Sequence, residues 1–219
     1  MFDNNINYDF INRFLRSSLP ARRGLLSSME EYAKENDIPI AQPEVARFLQ
    51  TLISGAHAKN ILEIGTAIGY STVNMAIAAP MGYKIVTIEK NPELARIAAE
   101  NTADLDVEIE WGDAVDILPR LAGPFDFIFL DAAKAQYSEF LPYCLRILRP
   151  GGLLVSDNVL YKGMVATDDL RERRQITIIK RMRQYLEEIT NHPSLVTSII
   201  PLGDGVAVSV YKGEEISND

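Results

Sequence analysis

The chain has 219 residues, of which 47% are hydrophobic and 24% charged, a balance typical of one globular domain. The formal net charge of −8 argues against an extensive nucleic-acid interface, and no apolar run is long enough to span a bilayer. Cys144 is the only cysteine and no secretory signal is visible, so we expect no internal disulfide, no membrane contact and a cytoplasmic protein.

The N-terminal quarter is predicted to be helical. Apolar residues recur at helical spacing over residues 8–36, and Pro20 should divide this stretch into two helices. A third helix should begin at Pro43. We assign residues 1–56 to a helical region that caps the active site or forms a partner interface, and residues 57–219 to the core of the same domain.

The core shows strands that alternate with helices. Five strands are predicted, at residues 61–64, 85–88, 107–110, 125–130 and 153–156. Helices are predicted between them, among them 141–148, and a long helix follows at 170–189. Segments 195–202 and 206–211 flank Gly203-Asp204-Gly205 and predict a closing antiparallel hairpin. Repeated βα units predict an α/β fold with a mostly parallel sheet, helices on both faces and the hairpin at one edge.

A glycine turn follows the first core strand. Gly65-x-x-x-Gly69 lets the backbone approach a ligand, but Ala67 stands where the dinucleotide motif has its middle glycine. Glu89 closes the second strand, where a carboxylate can accept hydrogen bonds from ribose hydroxyls. Asp113, after the third strand, either accepts from an adenine amino group or caps a helix. Together these features predict a ligand with an adenosine-like ribose.

The sharpest constellation lies at the ends of the fourth and fifth strands. Asp131 ends the apolar run 125–130, and Asp157 with Asn158 ends the next strand. Because neighbouring parallel strands share a carboxyl edge, these oxygens should meet there. They suit Mg²⁺, with Mn²⁺ and Ca²⁺ as alternatives, although loop-capping residues would show the same spacing. Lys134 is then either a base beside the metal or an exposed lysine at a helix start.

Basic residues are concentrated in two segments of this acidic chain. Residues 13–23 and residues 162–183 each carry a net charge of +4. The default interpretation is two solvated helix faces, and the alternative is a patch that binds a polyanion.

Three motifs resemble those of one enzyme family. They are residues 61–71, Asp131-Ala132-Ala133-Lys134 and Asp157-Asn158-Val159. Over nearly its whole length the chain is similar to the cation-dependent O-methyltransferases, which include catechol and caffeoyl-CoA O-methyltransferases. The resemblance implies a Rossmann-like class I methyltransferase fold with a seven-stranded sheet. It also implies S-adenosylmethionine as methyl donor and Mg²⁺ or another divalent cation as cofactor.

The resemblance further implies roles for individual residues. Asp131, Asp157 and Asn158 would bind the metal, and Lys134 would remove the proton of the acceptor hydroxyl. The implied cofactor contacts are Glu63, Gly65, Tyr70, Ser71, Glu89, Asp113, Ala114 and Asp131. The N-terminal helices and the resemblance together lead us to expect a homodimer.

The sequence leaves more than one class of acceptor substrate open. Motifs in residues 131–137, 157–163, 191–193 and 200–205 resemble a bacterial branch that contains the tRNA 5-hydroxyuridine methyltransferase. We therefore predict methylation of 5-hydroxyuridine at the tRNA wobble position, which gives 5-methoxyuridine and makes the anticodon region the partner. The alternative is a small catechol or phenol, because a catechol also presents two neighbouring oxygens. A nicotinamide oxidoreductase or a non-catalytic adenosine-binding module is disfavoured, because the middle glycine of the turn is missing.

Overall fold

Three helices precede an alternation of strands and helices in the computed structural model, which describes residues 6–170 and 172–213. The helices are α1 (Asp9–Ser17), α2 (Leu25–Glu35), α3 (Pro43–Ala56), α4 (Tyr70–Ala78), α5 (Pro92–Asn101), α6 (Ala114–Ile117), α7 (Tyr137–Ile147) and α8 (Ile176–Asn191). The strands are β1 (Asn60–Ile64), β2 (Lys84–Glu89), β3 (Val107–Trp111), β4 (Phe125–Leu130), β5 (Leu148–Ser156), β6 (Leu195–Ile200) and β7 (Val206–Tyr211). None of the helices in the described ranges is long and apolar enough to cross a membrane.

The strands form a seven-stranded sheet in the order β3-β2-β1-β4-β5-β7-β6. Neighbours from β3 to β5 pair in parallel, whereas β7 lies antiparallel to both β5 and β6. The predicted α/β class, the mostly parallel sheet and the hairpin at its edge are therefore confirmed. Because the five parallel strands point the same way, the loops that follow them meet at one edge of the sheet.

Strand β4 is buried on both faces. Ile128 and Leu130 pack into the core under α7 and α8, whereas Phe127 and Phe129 pack into the core under α3. All four side chains are completely buried. A strand covered by helices on both sides cannot alternate apolar with polar residues, which explains its continuous apolar run.

Strand β5 is longer than predicted. Leu148 belongs to this strand and not to the preceding helix, and the run Pro150-Gly151-Gly152 lies inside the strand rather than in a loop. The pairing with β4 shifts register near its start. A Cβ on Gly152 would lie 3.0 Å from the carbonyl oxygen of Asp126. A glycine-dependent irregularity therefore continues the strand through a sequence that is typical of a loop.

Helix α8 begins later than predicted. Residues 173–175 form one 3₁₀ turn, Leu170 lies in a turn, and Arg171 lies outside the described residues. The charged stretch 172–174 offers no apolar side chain to bury. The helix therefore begins at Ile176, where the apolar periodicity begins.

The N-terminal helices attach to the core in different ways. Helix α3 packs on one face of the sheet through Val45, Leu49 and Ile53. In α1 the polar Asn12 is buried, whereas Phe10 and Phe14 are 62% and 68% exposed. Helix α1 therefore turns part of its polar side toward the protein and its aromatic side chains toward solvent.

Candidate active site

A cavity of about 710 Å³ opens at the carboxyl edge of the sheet. Its wall is formed by residues that follow β1, β2, β3, β4 and β5, by residues 39–42 and by Asp204 of the hairpin loop. The predicted site residues in this wall are Gly65, Tyr70, Ser71, Glu89, Asp113, Ala114, Asp131, Lys134, Asp157 and Asn158. The structure thus brings together ten of the eleven residues singled out from the sequence, and the exception is Glu63.

The glycine turn packs directly against the end of β4. Gly65 has a φ of +101°, a conformation that favours glycine. A Cβ at this position would lie 2.1 Å from the carbonyl oxygen of Asp131. The N–H of Asp131 in turn donates to the carbonyl oxygen of Ile64 at 2.9 Å. The absence of a side chain at Gly65 therefore allows the turn and the acidic strand end to lie against each other.

Glu63 lies beneath the turn and not in the cavity wall. Its carboxylate is completely buried and accepts hydrogen bonds from the hydroxyls of Ser71, Thr72 and Thr87, the last at 2.6 Å. Burial raises the pKa of Glu63 to about 7, against the effect of these hydrogen bonds. Glu63 therefore ties α4 to the strands and supports the turn from below, and its contact with the cofactor stays a prediction.

The burial of Glu63 predicts a pH-dependent effect of Glu63→Gln. The pKa of about 7 in the folded state exceeds the ordinary 4.5, so the folded state binds more protons between these values. The wild type should therefore lose unfolding free energy as the pH rises through this window, by on the order of 3 kcal/mol, and no further above it. Because glutamine is neutral, the variant should gain relative stability over the same range.

Urea unfolding measured in steps from about pH 5 to about pH 8 tests this expectation. The variant Glu31→Gln, at an exposed position of α2, serves as the control. A stability difference between Glu63→Gln and the wild type that stays constant with pH would contradict it.

Glu89 and Asp113 sit at the next two strand ends. Glu89 is 8% exposed, and its two carboxylate oxygens accept the N–H groups of Ala67 and Asn91, each at 2.8 Å. Each oxygen keeps a further lone pair that can accept from a ligand hydroxyl. Asp113 lines the cavity and also caps α6, because its Oδ1 accepts the N–H of Val115 at 3.0 Å. The capping alternative for Asp113 is thus confirmed.

Tyr70 connects the turn to the N-terminal helices. Its hydroxyl donates to the carboxylate of Glu30 on α2, and the Arg22 Nε atom lies 2.7 Å from Glu30 Oε1. Burial, reinforced by the bond to Glu30, raises the pKa of Tyr70. This chain of contacts fixes α2 beside the cavity.

The predicted metal ligands Asp131, Asp157 and Asn158 follow β4 and β5 at the carboxyl edge of the sheet, and we call this group the acidic edge. Lys134 lies beside it. The Nζ atom of Lys134 lies 3.2 Å from Asp131 Oδ1. Asp157 is 1% exposed, and its Oδ1 accepts the N–H of Asn158 at 2.7 Å. Burial, and then the charge of Asp131, raise the pKa of the Asp157 carboxyl well above its ordinary range. The edge therefore concentrates negative charge in a desolvated place.

Tyr137 is a part of this edge that the sequence analysis did not assign. Its buried hydroxyl lies 3.2 Å from the carbonyl oxygen of Leu130 and 3.1 Å from that of Asp157. It thereby ties together the ends of β4 and β5. A tyrosine three residues after Lys134 gives no sign of this role, because the bond depends on how α7 returns across the two strands.

A model of the O-methyltransferase family matches residues 24–212. The chain belongs to this family. The O-methyltransferase is 38% identical to a catechol O-methyltransferase of Niastella koreensis, covering 95% of this chain and 100% of that protein. It is 30% identical to a catechol O-methyltransferase of Mycobacterium tuberculosis, covering 92% and 95%. The family predicted from the motifs is confirmed.

Solved structures resemble this O-methyltransferase closely. The O-methyltransferase of Bacillus cereus in complex with SAH superposes with a TM-score of 0.82 at 29% identity, covering 93% of this chain and 97% of that one. The O-methyltransferase TomG of Streptomyces achromogenes, in complex with SAM, gives a TM-score of 0.82 at 28% identity, covering 97% and 100%. The Rossmann-like methyltransferase fold is therefore confirmed.

The acidic edge of the O-methyltransferase offers the oxygen ligands that a hard divalent cation prefers. Asp131, Asp157 and Asn158 offer two carboxylates and one amide oxygen, which suit Mg²⁺ and do not suit zinc. Within residues 6–170 and 172–213, no three His, Cys, Asp or Glu side chains lie together as a metal site. The acidic edge has two such side chains, and its third oxygen is the amide of Asn158. An incomplete shell of this kind leaves positions for water and substrate oxygens, so the residues present fit the implied cofactor.

The two basic segments of the O-methyltransferase differ in their contacts. In the first segment, Arg16 bonds Glu44 on α3 at 3.0 Å and Arg22 bonds Glu30, so these charges are neutralised. In the second segment, Arg183 pairs with Asp168 at 2.8 Å. Among the described residues of the second segment, the exposed basic residues outside that pair are Lys162, Arg173, Arg174, Lys180 and Arg181.

Proposed function

We propose that this O-methyltransferase moves the methyl group of S-adenosylmethionine to a hydroxyl oxygen that has a second oxygen beside it. The observation that carries the proposal is the single cavity wall in which the glycine turn and Glu89 meet Lys134 and the acidic edge. The similar structures that hold SAM or SAH support the choice of donor. A donor and an acceptor held in one cavity can be aligned for in-line transfer.

The donor end of the cavity is proposed from the turn and the strand ends. Gly65, Tyr70 and Ser71 would contact the methionine part of the cofactor. Glu89 would accept from the ribose hydroxyls with the lone pairs that Ala67 and Asn91 leave open. Asp113 and Ala114 would border the adenine. These groups bind and orient the sulfonium, and they take no part in proton transfer.

The acceptor end is proposed from the acidic edge. Asp131, Asp157 and Asn158 would hold Mg²⁺, which when bound would lower the pKa of the acceptor hydroxyl. Lys134 would then accept the hydroxyl proton as general base. Asp131 orients Lys134 through the ion pair at 3.2 Å. The oxygen left by the proton attacks the methyl carbon while the carbon–sulfur bond breaks.

A small catechol is the acceptor that the relatives favour. Both curated relatives described above are named catechol O-methyltransferases. A catechol presents two neighbouring oxygens, which an incomplete shell of hard ligands can accept. The test is methyl transfer from labelled S-adenosylmethionine to a panel of dihydroxyphenyl compounds, with and without a chelator. Turnover that persists in the chelator would refute the metal, and no turnover of any catechol would refute this acceptor class.

The wobble 5-hydroxyuridine of tRNA is the second candidate acceptor, because basic residues border the acceptor end. Arg181 donates to the carbonyl oxygen of Ala135, next to Lys134, at 3.1 Å. The hydroxyl of Tyr161, in the segment that follows β5, donates to Gln175 at 2.7 Å. This bond connects that segment to the turn that carries the exposed Arg173 and Arg174. A local patch of this kind can bind phosphates beside a splayed-out base.

Arg173→Glu combined with Arg174→Glu separates the two acceptors. If tRNA is the substrate, its kcat/KM should fall roughly 30-fold or more, because phosphate contacts become repulsions, while catechol turnover stays within about twofold. The matched control is Lys59→Glu combined with Lys212→Glu, two exposed lysines at the edge of the sheet opposite the cavity. Methyl transfer to tRNA that contains 5-hydroxyuridine is the measurement. Equal losses for both acceptors, or no loss for either, would count against tRNA.

A homodimer is proposed as the assembly. The exposed aromatic side chains of Phe10 and Phe14 support an interface formed through α1. Light scattering on the purified protein measures the mass directly, and a monomer at all concentrations would refute the proposal.

A further inference from the structure

The segment that follows β5 has an unusual backbone. Asn158, Tyr161 and Lys162 have φ values of +56°, +45° and +55°, and Gly163 has +77°. Asparagine tolerates this left-handed region, but tyrosine and lysine adopt it only where their surroundings hold them there. Asn158 and Lys162 also line the cavity. The shape of this segment therefore needs support from outside it.

The loop between β6 and β7 supplies that support. The N–H of Val159 donates to the carbonyl oxygen of Gly205 at 2.9 Å, and the N–H of Leu160 donates to that of Asp204 at 3.0 Å. The N–H of Lys162 donates to the carboxylate Oδ1 of Asp204 at 2.5 Å. The side chain of Asp204 thus holds the segment where it turns left-handed.

The supporting loop has little room to move. A Cβ on Gly203 would lie 2.5 Å from a methyl carbon of Val45 on α3, and a Cβ on Gly205 would lie 2.4 Å from the Leu160 side chain. The loop is therefore packed tightly between α3 and the segment 158–163. This packing fixes the position from which Asp204 accepts the N–H of Lys162.

We infer that Asp204 is a positioning residue that fixes the segment 158–163 and, through it, the amide of Asn158. This inference rests on the proposed function, in which Asn158 is a metal ligand. A ligand held by a firm outer contact binds a metal more tightly than one on a free loop. Asp204 therefore contributes to metal affinity without being a ligand, through the hydrogen bond to Lys162.

Titration calorimetry with Mn²⁺ alone, on the protein without cofactor or acceptor, tests the inference. Asp204→Ala should weaken Mn²⁺ binding about tenfold or more. Asp204→Asn should stay within about threefold of the wild type, because its amide oxygen can accept the same N–H. S-adenosylmethionine affinity should change less than about twofold in both variants, since the glycine turn and Glu89 are untouched.

Lys162→Gly should restore the Mn²⁺ affinity that Asp204→Ala loses. It would not do so if the negative charge of Asp204 were what mattered. Glycine adopts a φ of +55° without strain, so a segment with glycine there needs less support. Asp204→Ala combined with Lys162→Gly should bind Mn²⁺ within about threefold of Lys162→Gly alone. This comparison also keeps the test decisive if Asp204→Ala alone does not fold.

The outcomes separate this inference from the proposed function. Asp204→Ala that binds Mn²⁺ as tightly as the wild type overturns the inference. Equal loss in Asp204→Asn and Asp204→Ala, or no rescue by Lys162→Gly, overturns it as well, because the charge and not the hydrogen bond would then matter. A wild-type protein that binds no Mn²⁺ overturns the proposed metal site itself.

Discussion

Asp157→Ala is expected to lower kcat/KM for methyl transfer roughly 10³-fold or more without lowering the melting temperature of the metal-free protein. The activity falls because one of two carboxylates at the proposed metal site is lost. Stability is retained because the wild-type carboxylate is 1% exposed and lies near the charge of Asp131, an unfavourable place for an anion without a cation. The backbone carbonyl that Tyr137 contacts remains in the variant.

Steady-state kinetics at saturating Mg²⁺ and thermal unfolding in a chelator measure the two effects of Asp157→Ala. Asp116→Ala removes an exposed carboxylate on α6 and should leave kcat/KM within about twofold of the wild type. An Asp157→Ala enzyme that keeps more than about a tenth of the wild-type rate contradicts the metal assignment.

Lys134→Met should lower kcat about 10²- to 10⁴-fold and leave the KM for S-adenosylmethionine nearly unchanged. Methionine has a similar length but cannot accept a proton, and the cofactor contacts lie elsewhere in the cavity wall. The deficit should shrink as the pH rises, because an acceptor that ionises in solution no longer needs a base. A pH profile of kcat for both enzymes provides the measurement.

Lys134→Arg distinguishes proton removal from simple charge. The guanidinium can pair with Asp131 as the ammonium does at 3.2 Å, but it stays protonated under all working conditions. We therefore expect Lys134→Arg to be about as slow as Lys134→Met. A nearly wild-type kcat for Lys134→Arg would show that the positive charge suffices and would refute the general base.

The main features of the fold and of the site follow from local sequence signals. Asp131 and Asp157 were expected to meet because each ends a buried strand, and parallel neighbours end at the same edge. Gly65 and Glu89 were found for the same reason, since each follows a strand with a clear apolar pattern. Such residues are predictable because a sheet converts position along the chain into position in space.

The features that escaped prediction depend on long-range packing. Tyr137 and Asp204 reach the edge from α7 and from the hairpin loop, and neither carries a local pattern that announces its partner. The hydrogen bonds of Glu63 are long-range as well, because its carboxylate accepts from three hydroxyls, one of them on the neighbouring strand β2. The early start of β5 was hidden because Pro150 is typical of a loop.

The contact between Gly65 and the carbonyl oxygen of Asp131 limits how this enzyme can be re-engineered. A library that randomises the turn to accept cofactor analogues must keep residue 65 as glycine, because even alanine would place an atom 2.1 Å from that oxygen. Ala67 lines the same cavity and is the position of the turn to vary first, whereas Ile68 is completely buried in the core. Any redesign of the donor pocket is therefore also constrained by the acceptor pocket, because the backbone of Asp131 packs directly against the glycine turn.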